Sequence, residues 1–295
     1  MPSSSHYVSA GLPRQVILQK FYAMLEEDIG FGDVTTSALI AANQLGSARL
    51  FTREPGTVAG LEIASIILED FQCQVKSLQM DGSRVKANTT LLEAQGRADI
   101  LLSVERTLLN LLQRMSGIAT TTANLLQLAQ KTNPQIRVAA TRKTAPLLRY
   151  FDKYAVIMGG GDPHRWRLDD AILIKDNHLS FYSDIHKAIQ YAKQRSSFTR
   201  SIEIEVTTPK MALEAAKAGV DALLLDNLSP KEVSATIKKI QQMNLQSPPI
   251  IEVSGNITPD NITQYAQTGV DVISIGWITH SVPSLNLSID ITPLE

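Results

Sequence analysis

From about residue 136 the chain settles into an alternation that few architectures accept. Short apolar runs at 137–141, 171–175, 202–207, 222–226, 249–254 and 270–276 alternate with helical stretches near 146–157, 183–195, 209–218, 230–243 and 259–268. Thr208-Pro209, Ser229-Pro230 and Thr258-Pro259 each place a side chain able to accept a helix's first free N–H groups before a proline that suits the first turn. Ala218-Gly219-Val220-Asp221-Ala222 recurs in kind as Thr268-Gly269-Val270-Asp271-Val272, a helix-stopping glycine that leads into a strand. Strand–helix repetition of this kind gives parallel strands. No G-x-G-x-x-G is present, and the units are too few for two dinucleotide-binding halves. The expected architecture is α/β, a small β/α barrel of six or seven strands, with an open doubly wound sheet as the alternative.

The first 110 residues or so follow another pattern. Residues 14–27 read as an amphipathic helix, 27–36 as a glycine-containing loop, 47–53 as a strand and 60–71 as a helix. Further short strands at 75–80 and 90–94 flank the Asp81-Gly82-Ser83 turn, giving an α+β unit with an antiparallel sheet. A long helical region follows over 98–131, with a break expected at Ser116-Gly117. Ser103, Arg106, Asn110 and Gln113 share one of its faces.

With 28 Lys and Arg against 29 Asp and Glu, no global field draws nucleic acid or acidic membranes. Cys73 is the single cysteine, which excludes an internal disulfide and fits a reducing compartment. The N-terminus lacks a basic and apolar leader, and no run approaches the ~20 apolar residues of a membrane span. A soluble, cytoplasmic protein is expected. His6 and His186 read as surface residues.

In a β/α barrel, chemistry sits at the C-terminal strand ends. Here those ends read Arg142-Lys143, Lys175, Glu205, Asp226, Ser254-Gly255 and Gly276. Arg142, Lys143, Arg165 and His164 suit a ligand with two carboxylates, because a guanidinium fork matches a carboxylate. Glu205 and Asp226 suit Mg²⁺ held through substrate phosphates, or sugar hydroxyls. Ser254-Gly255 and Gly276 suit a phosphate cradled by backbone N–H groups. Glu203, on the same strand face as Glu205, is a second acid or the partner of a cationic side chain. His178 and Asn177 read as structural, and no His/Cys set has zinc spacing.

Thr-Arg-Lys-Thr at 141–144, Gly-Gly-Gly-x-x-His-Arg at 159–165, Ile-Lys-Asp-Asn-His at 174–178, Glu-x-Glu-Val at 203–206, Leu-Leu-Asp-Asn at 224–227 and Gly-x-x-Thr-His-Ser at 276–281 resemble the nicotinate-nucleotide pyrophosphorylase (quinolinate phosphoribosyltransferase) family. So do Glu27-Asp28-Ile29-Gly30-x-Gly32-Asp33-x-Thr35, Arg53-Glu54-x-Gly56 and Glu105-Arg106-Thr107-x-x-Asn110. The resemblance implies an N-terminal open sandwich over 1–115, completed by 277–295, and an incomplete barrel over 116–276. It implies that quinolinate and phosphoribosyl pyrophosphate give nicotinate mononucleotide, pyrophosphate and CO₂ with Mg²⁺, for NAD biosynthesis. Arg106, Thr141, Arg142, Lys143, His164, Arg165 and Lys175 would bind substrate. Glu205 and Asp226 would serve the ribose and metal, and Ser254, Gly255, Asn256 and Gly276 the 5′-phosphate. Lys143, ahead of His164, is the candidate to protonate or stabilise the carbon left by CO₂. A homodimer or homohexamer is implied, with Arg106 entering the neighbouring subunit's site. Two departures stand out: the family often has Pro-Gly where this chain has Pro146-Leu147, and a glycine where it has Arg167. Nicotinate phosphoribosyltransferase, without decarboxylation, is the nearest alternative, and a molybdenum-transport-associated binding relative another. Lys175 argues against the second.

Overall fold

The computed structural model describes residues 12–294, so His6 lies outside the described residues. It divides into two compact units. The first takes the described residues up to Ala123, Ala145–Gly160, and those from Ser281 onward; the second takes Asn124–Thr144 and Gly161–His280.

In chain order the elements begin α1 (Arg14–Ile29), α2 (Val34–Leu39), β1 (Leu45–Thr52), β2 (Gly56–Thr57), α3 (Leu61–Asp70), β3 (Gln74–Ser77), β4 (Arg84–Val85), β5 (Thr90–Arg97) and α4 (Ala98–Gln130). They continue with β6 (Arg137–Ala139), α5 (Arg149–Met158), β7 (Ile172–Ile174), α6 (Asp176–Leu179), α7 (Ile185–Arg195), β8 (Ile202–Val206), α8 (Pro209–Lys217), β9 (Ala222–Asp226) and α9 (Pro230–Gln242). Last come β10 (Ile250–Ser254), α10 (Ile262–Ala266), β11 (Val272–Ser274), α11 (Trp277–His280) and β12 (Leu287–Pro293).

The first unit is built on an antiparallel sheet in the order β12-β1-β5-β3. Ala48 and Leu50 of β1 and Leu92 and Ala94 of β5 meet Ala64 and Leu68 of α3 and Leu101, Val104 and Leu108 of α4. The loop expected over 27–36 contains α2, because Asp33 accepts the Thr35 and Thr36 N–H groups at its start. The helix break expected at Ser116-Gly117 is absent, and α4 runs straight through it. Gly117 serves close packing instead: a Cβ there would lie 2.2 Å from the Pro283 carbonyl oxygen. Ser116 Oγ turns outward from the helix to accept the Ala59 N–H at 3.1 Å. Inside this unit Arg114 grips Asp152 of α5 with two bonds of 2.8 Å each. Burial pushes Asp152 above the usual carboxylate range, ahead of the opposing pull of Arg114.

The second unit carries a six-stranded parallel sheet in the order β6-β11-β10-β9-β8-β7. From β7 to β11 the chain steps one strand at a time in one direction, and β6 pairs with β11. A doubly wound sheet reverses direction part-way; this one does not. It is a barrel left open between β6 and β7, as the family pattern implies. Its strands are buried on both faces, as in Leu223, Leu224 and Leu225 of β9, and so they read as continuous apolar runs. Thr208 and Ser229 cap α8 and α9 as expected. Thr258 does not begin α10; Asn261 takes that place, its side chain accepting the Thr258 N–H.

Candidate active site

Parallel pairing puts every C-terminal strand end of the second unit at one rim. Ser254 of β10 sits opposite Asp226 of β9, and Glu205 of β8 opposite Leu224, two residues before Asp226. Thr141, Arg142 and Lys143 follow β6, Lys175 follows β7, and Gly276 follows β11.

The segment after β6 is pinned. Thr141 Oγ1 accepts the Lys143 N–H at 3.1 Å, and Thr279 Oγ1 donates to the Lys143 carbonyl at 2.9 Å. Gly276 is glycine for a local reason: a Cβ would lie 2.8 Å from Lys143 Cδ. The lysine stem therefore crosses the start of the loop that the sequence suggests for phosphate. Arg142 Nε is buried with no hydrogen-bond partner among the described residues. An unmet buried cationic donor is costly, which marks a place made for an anion. Arg165 is lowered from its ordinary value by burial and by the charge of Arg142, against the attraction of Glu203 and Asp170. The two guanidiniums thus repel one another, against the attraction of the nearby acids.

His164 adopts a left-handed backbone, φ 52°. Its Nε2 lies 3.4 Å from Glu203 and 3.2 Å from Glu252, while its Nδ1 accepts the Arg165 N–H at 2.7 Å. Both nitrogens are thus engaged inside the protein, and what His164 offers a substrate passes through Arg165. Burial alone would pull the imidazole down; hydrogen bonds and charges from Glu203 and Glu252 outweigh it and hold it up at about 10. Burial also pushes Glu203 up, ahead of the opposing bond from His164. Because Nδ1 accepts, Nε2 carries the hydrogen that faces the two acids. The spacing of the three groups would suit a metal ion, but Nε2 could become a ligand only by giving up its hydrogen, while Nδ1 is turned to the Arg165 N–H.

Glu203 is therefore a partner of His164 inside the protein. Glu252 was not singled out. Its signal was an acid inside an apolar run, between Ile251 and Val253, with only 5% of it exposed. Glu205, nearer the rim, forms an ion pair with Lys175. Lys175 is itself placed by His178, whose Nδ1 accepts its N–H at 2.9 Å. Asp226 Oδ2 accepts from Asn227 at 2.7 Å. Ser254 Oγ donates to the Ser274 carbonyl at 3.2 Å, joining β10 to β11. Gly255 and Asn256, with φ of 102° and 51°, turn the chain just after β10.

Arg106 belongs to the first unit, exposed on α4. Thr107, Asn110, Leu111 and Arg114 on that helix line a cleft of about 680 Å³ together with Lys20, Asp28 and Leu147.

Residues 33–116 match the quinolinate phosphoribosyl transferase N-terminal domain, and residues 118–290 match its C-terminal domain. The chain belongs to the quinolinate phosphoribosyltransferase family. A probable nicotinate-nucleotide pyrophosphorylase (carboxylating) of Methanothermobacter thermautotrophicus is 44% identical over 272 residues, 92% of this chain and 98% of that protein. The human nicotinate-nucleotide pyrophosphorylase (carboxylating) is 35% identical, over 88% of this chain and 86% of its own. The crystal structure of NadC from Streptococcus pyogenes superposes with a TM-score of 0.90 at 36% identity, covering 97% of this chain and 100% of that one. Human nicotinic acid phosphoribosyltransferase, at 16% identity and a TM-score of 0.57, shares the fold. Within the quinolinate phosphoribosyltransferase family the two-unit organisation is expected, and no helix among the described residues is long and apolar enough to cross a membrane.

Proposed function

We propose that this chain is a quinolinate phosphoribosyltransferase, which joins quinolinate to phosphoribosyl pyrophosphate and releases pyrophosphate and CO₂ to give nicotinate mononucleotide. It works in NAD biosynthesis, in the cytoplasm. The observation that carries this reading is the unmet buried Nε of Arg142 beside a second guanidinium, Arg165, at the barrel rim. Two cations placed this way suit a planar acid with two carboxylates.

Arg142 and Arg165 hold the ring carboxylates and orient the pyridine nitrogen toward the sugar. Positioning of two bound reactants supplies several kcal/mol of the barrier. Glu205 and Asp226 hold the ribose hydroxyls and the metal that accompanies the pyrophosphate. Their donors fit Mg²⁺: they are hard carboxylate oxygens, few in number, at a rim where substrate phosphates and water complete the shell. When bound, Mg²⁺ offsets the charge that gathers on the departing pyrophosphate. Ser254, Gly255, Asn256 and Gly276 receive the 5′-phosphate. Once the pyridine nitrogen is ribosylated, the positive ring draws the electron pair left by CO₂, and Lys143 delivers a proton to that carbon. Lys175 changes partners, from Glu205 to a substrate anion.

Purified protein supplied with quinolinate, phosphoribosyl pyrophosphate and Mg²⁺ is expected to release CO₂ and nicotinate mononucleotide in equal amounts. Turnover of nicotinate in place of quinolinate would overturn the reading.

The active form is a homodimer, or a homohexamer of such dimers, in which Arg106 completes the site of the neighbouring subunit. Its exposure on α4 supports this. Arg106→Ala and Lys143→Ala are each expected to be inactive alone. Mixed after subunit exchange, they should regain up to about a quarter of parental activity, since one site in four of a random dimer population receives neither lesion. No recovery despite confirmed exchange would place Arg106 outside the partner's site.

The residue at 147 supplies a stability test within the first unit. Leu147 has φ 64° and is 81% exposed, so it bears left-handed strain with little burial in return. Leu147→Gly is expected to raise unfolding free energy by about 1 kcal/mol, read by urea unfolding. A loss would show that Leu147 packs more than its exposure implies.

A further inference from the structure

Asp226 does not stand alone at the rim. A carboxylate can only accept, so the Asn227 group 2.7 Å from Asp226 Oδ2 is its NH₂. The Asn227 carbonyl oxygen then faces the other way, where Asn256 Nδ2 donates to it across 3.3 Å. Asn256 is held in turn, its backbone carbonyl accepting from Asn261 Nδ2 at 3.0 Å. The Asn227 N–H donates to the Ser254 carbonyl at 2.9 Å, which fixes its backbone to the end of β10. A Cβ on Gly255 would lie 2.2 Å from Asn227 Oδ1, so the glycine leaves room for this amide and nothing larger. A line of amides thus runs from the loop after β10 to one oxygen of Asp226, whose other oxygen carries no hydrogen bond among the described residues.

We propose that Asn227 is a positioning residue for the reaction: clamped between Asn256 and Asp226, it ties one Asp226 oxygen and presents the other to phosphoribosyl pyrophosphate and its Mg²⁺. The proposal rests on the reading of Asp226 given above. The competing explanation is that Asn227 is there only because its backbone is left-handed, φ 56°, which asparagine tolerates. Glycine separates the two, since it takes that backbone without strain and removes the amide.

The experiment compares Asn227→Gly, Asn227→Asp and Asp226→Asn with the parent. Binding of phosphoribosyl pyrophosphate with Mg²⁺ is measured by calorimetry, both KM values by kinetics, and folding by thermal melting. Asn227→Gly is expected to weaken phosphoribosyl pyrophosphate binding about tenfold, on the scale of one charge-assisted hydrogen bond. Its quinolinate KM should stay within about twofold and its melting temperature near the parent's. Parental binding by Asn227→Gly, with Asp226→Asn impaired, overturns the proposal and leaves the assignment of Asp226 standing. Parental binding by both overturns that assignment and the proposal with it. Should Asn227→Gly melt far below the parent, Asn227→Asp decides: it keeps the turn but cannot donate, and undiminished binding overturns the proposal.

Discussion

Arg142→Ala is expected to cut kcat/KM for quinolinate at least thirtyfold, with binding of phosphoribosyl pyrophosphate and the unfolding midpoint little changed. Truncating one member of a buried charge-assisted contact costs about 2–5 kcal/mol. Ordinarily part of that cost appears as lost stability. Here it should not, because Arg142 Nε has no hydrogen-bond partner among the described residues. The charge of Arg142 opposes that of Arg165, so removing one relieves the free protein while depriving the bound state. The loss belongs mainly in KM if Arg142 binds ground and transition states alike, and in kcat if it aligns the ring for attack. Steady-state kinetics with CO₂ trapping separate the two. Near-parental quinolinate kinetics would remove Arg142 from the site.

Asp152→Ala is expected to destabilise the protein by about 3–5 kcal/mol, the scale for stranding one member of a buried ion pair. Asp152 is fully buried, and its second oxygen also accepts the Ala145 N–H at 3.1 Å. Alanine would remove both bonds from Arg114 and leave that N–H without its acceptor. Burial nevertheless keeps Asp152 raised despite the arginine, so the pair gains little over its desolvation. Arg114→Met with Asp152→Leu should therefore recover most of the loss. Denaturant unfolding of the two single variants and the double gives the coupling. If Asp152→Ala unfolds within about 1 kcal/mol of the parent, the pair is incidental.

Much of the barrel was legible because parallel strands buried on both faces spell themselves as apolar runs, and because a proline after Thr208 or Ser229 marks a helix start. The rim was legible for a related reason: polar residues at the ends of such runs, like Glu205 and Asp226, have one edge to occupy. What lay inside the barrel was harder to read. His164 appeared as one more cation, whereas its left-handed backbone turns it onto Glu203 and Glu252; a pairing between strands distant in sequence leaves no local pattern. Gly117 misled because glycine in a helix weakens it in isolation, and only the Pro283 carbonyl reveals the contact that requires it. Leu147 is the reverse case. The family's glycine there was visible as a departure, and the positive φ supplies its physical meaning.

The last strand, β12, pairs with β1 along its whole length, from Gly46 opposite Pro293 to Thr52 opposite Leu287. A ribosome delivers β1 before the barrel strands and β12 after them. Throughout synthesis of the barrel, one edge of β1 is bare, with its N–H and C=O groups open to any extended chain nearby. The charged Arg49, matched to Asp290 in the finished sheet, guards that edge during the wait, since an unpaired charge there discourages pairing with the wrong neighbour. The newborn chain thus closes this sheet only once the barrel strands have been made.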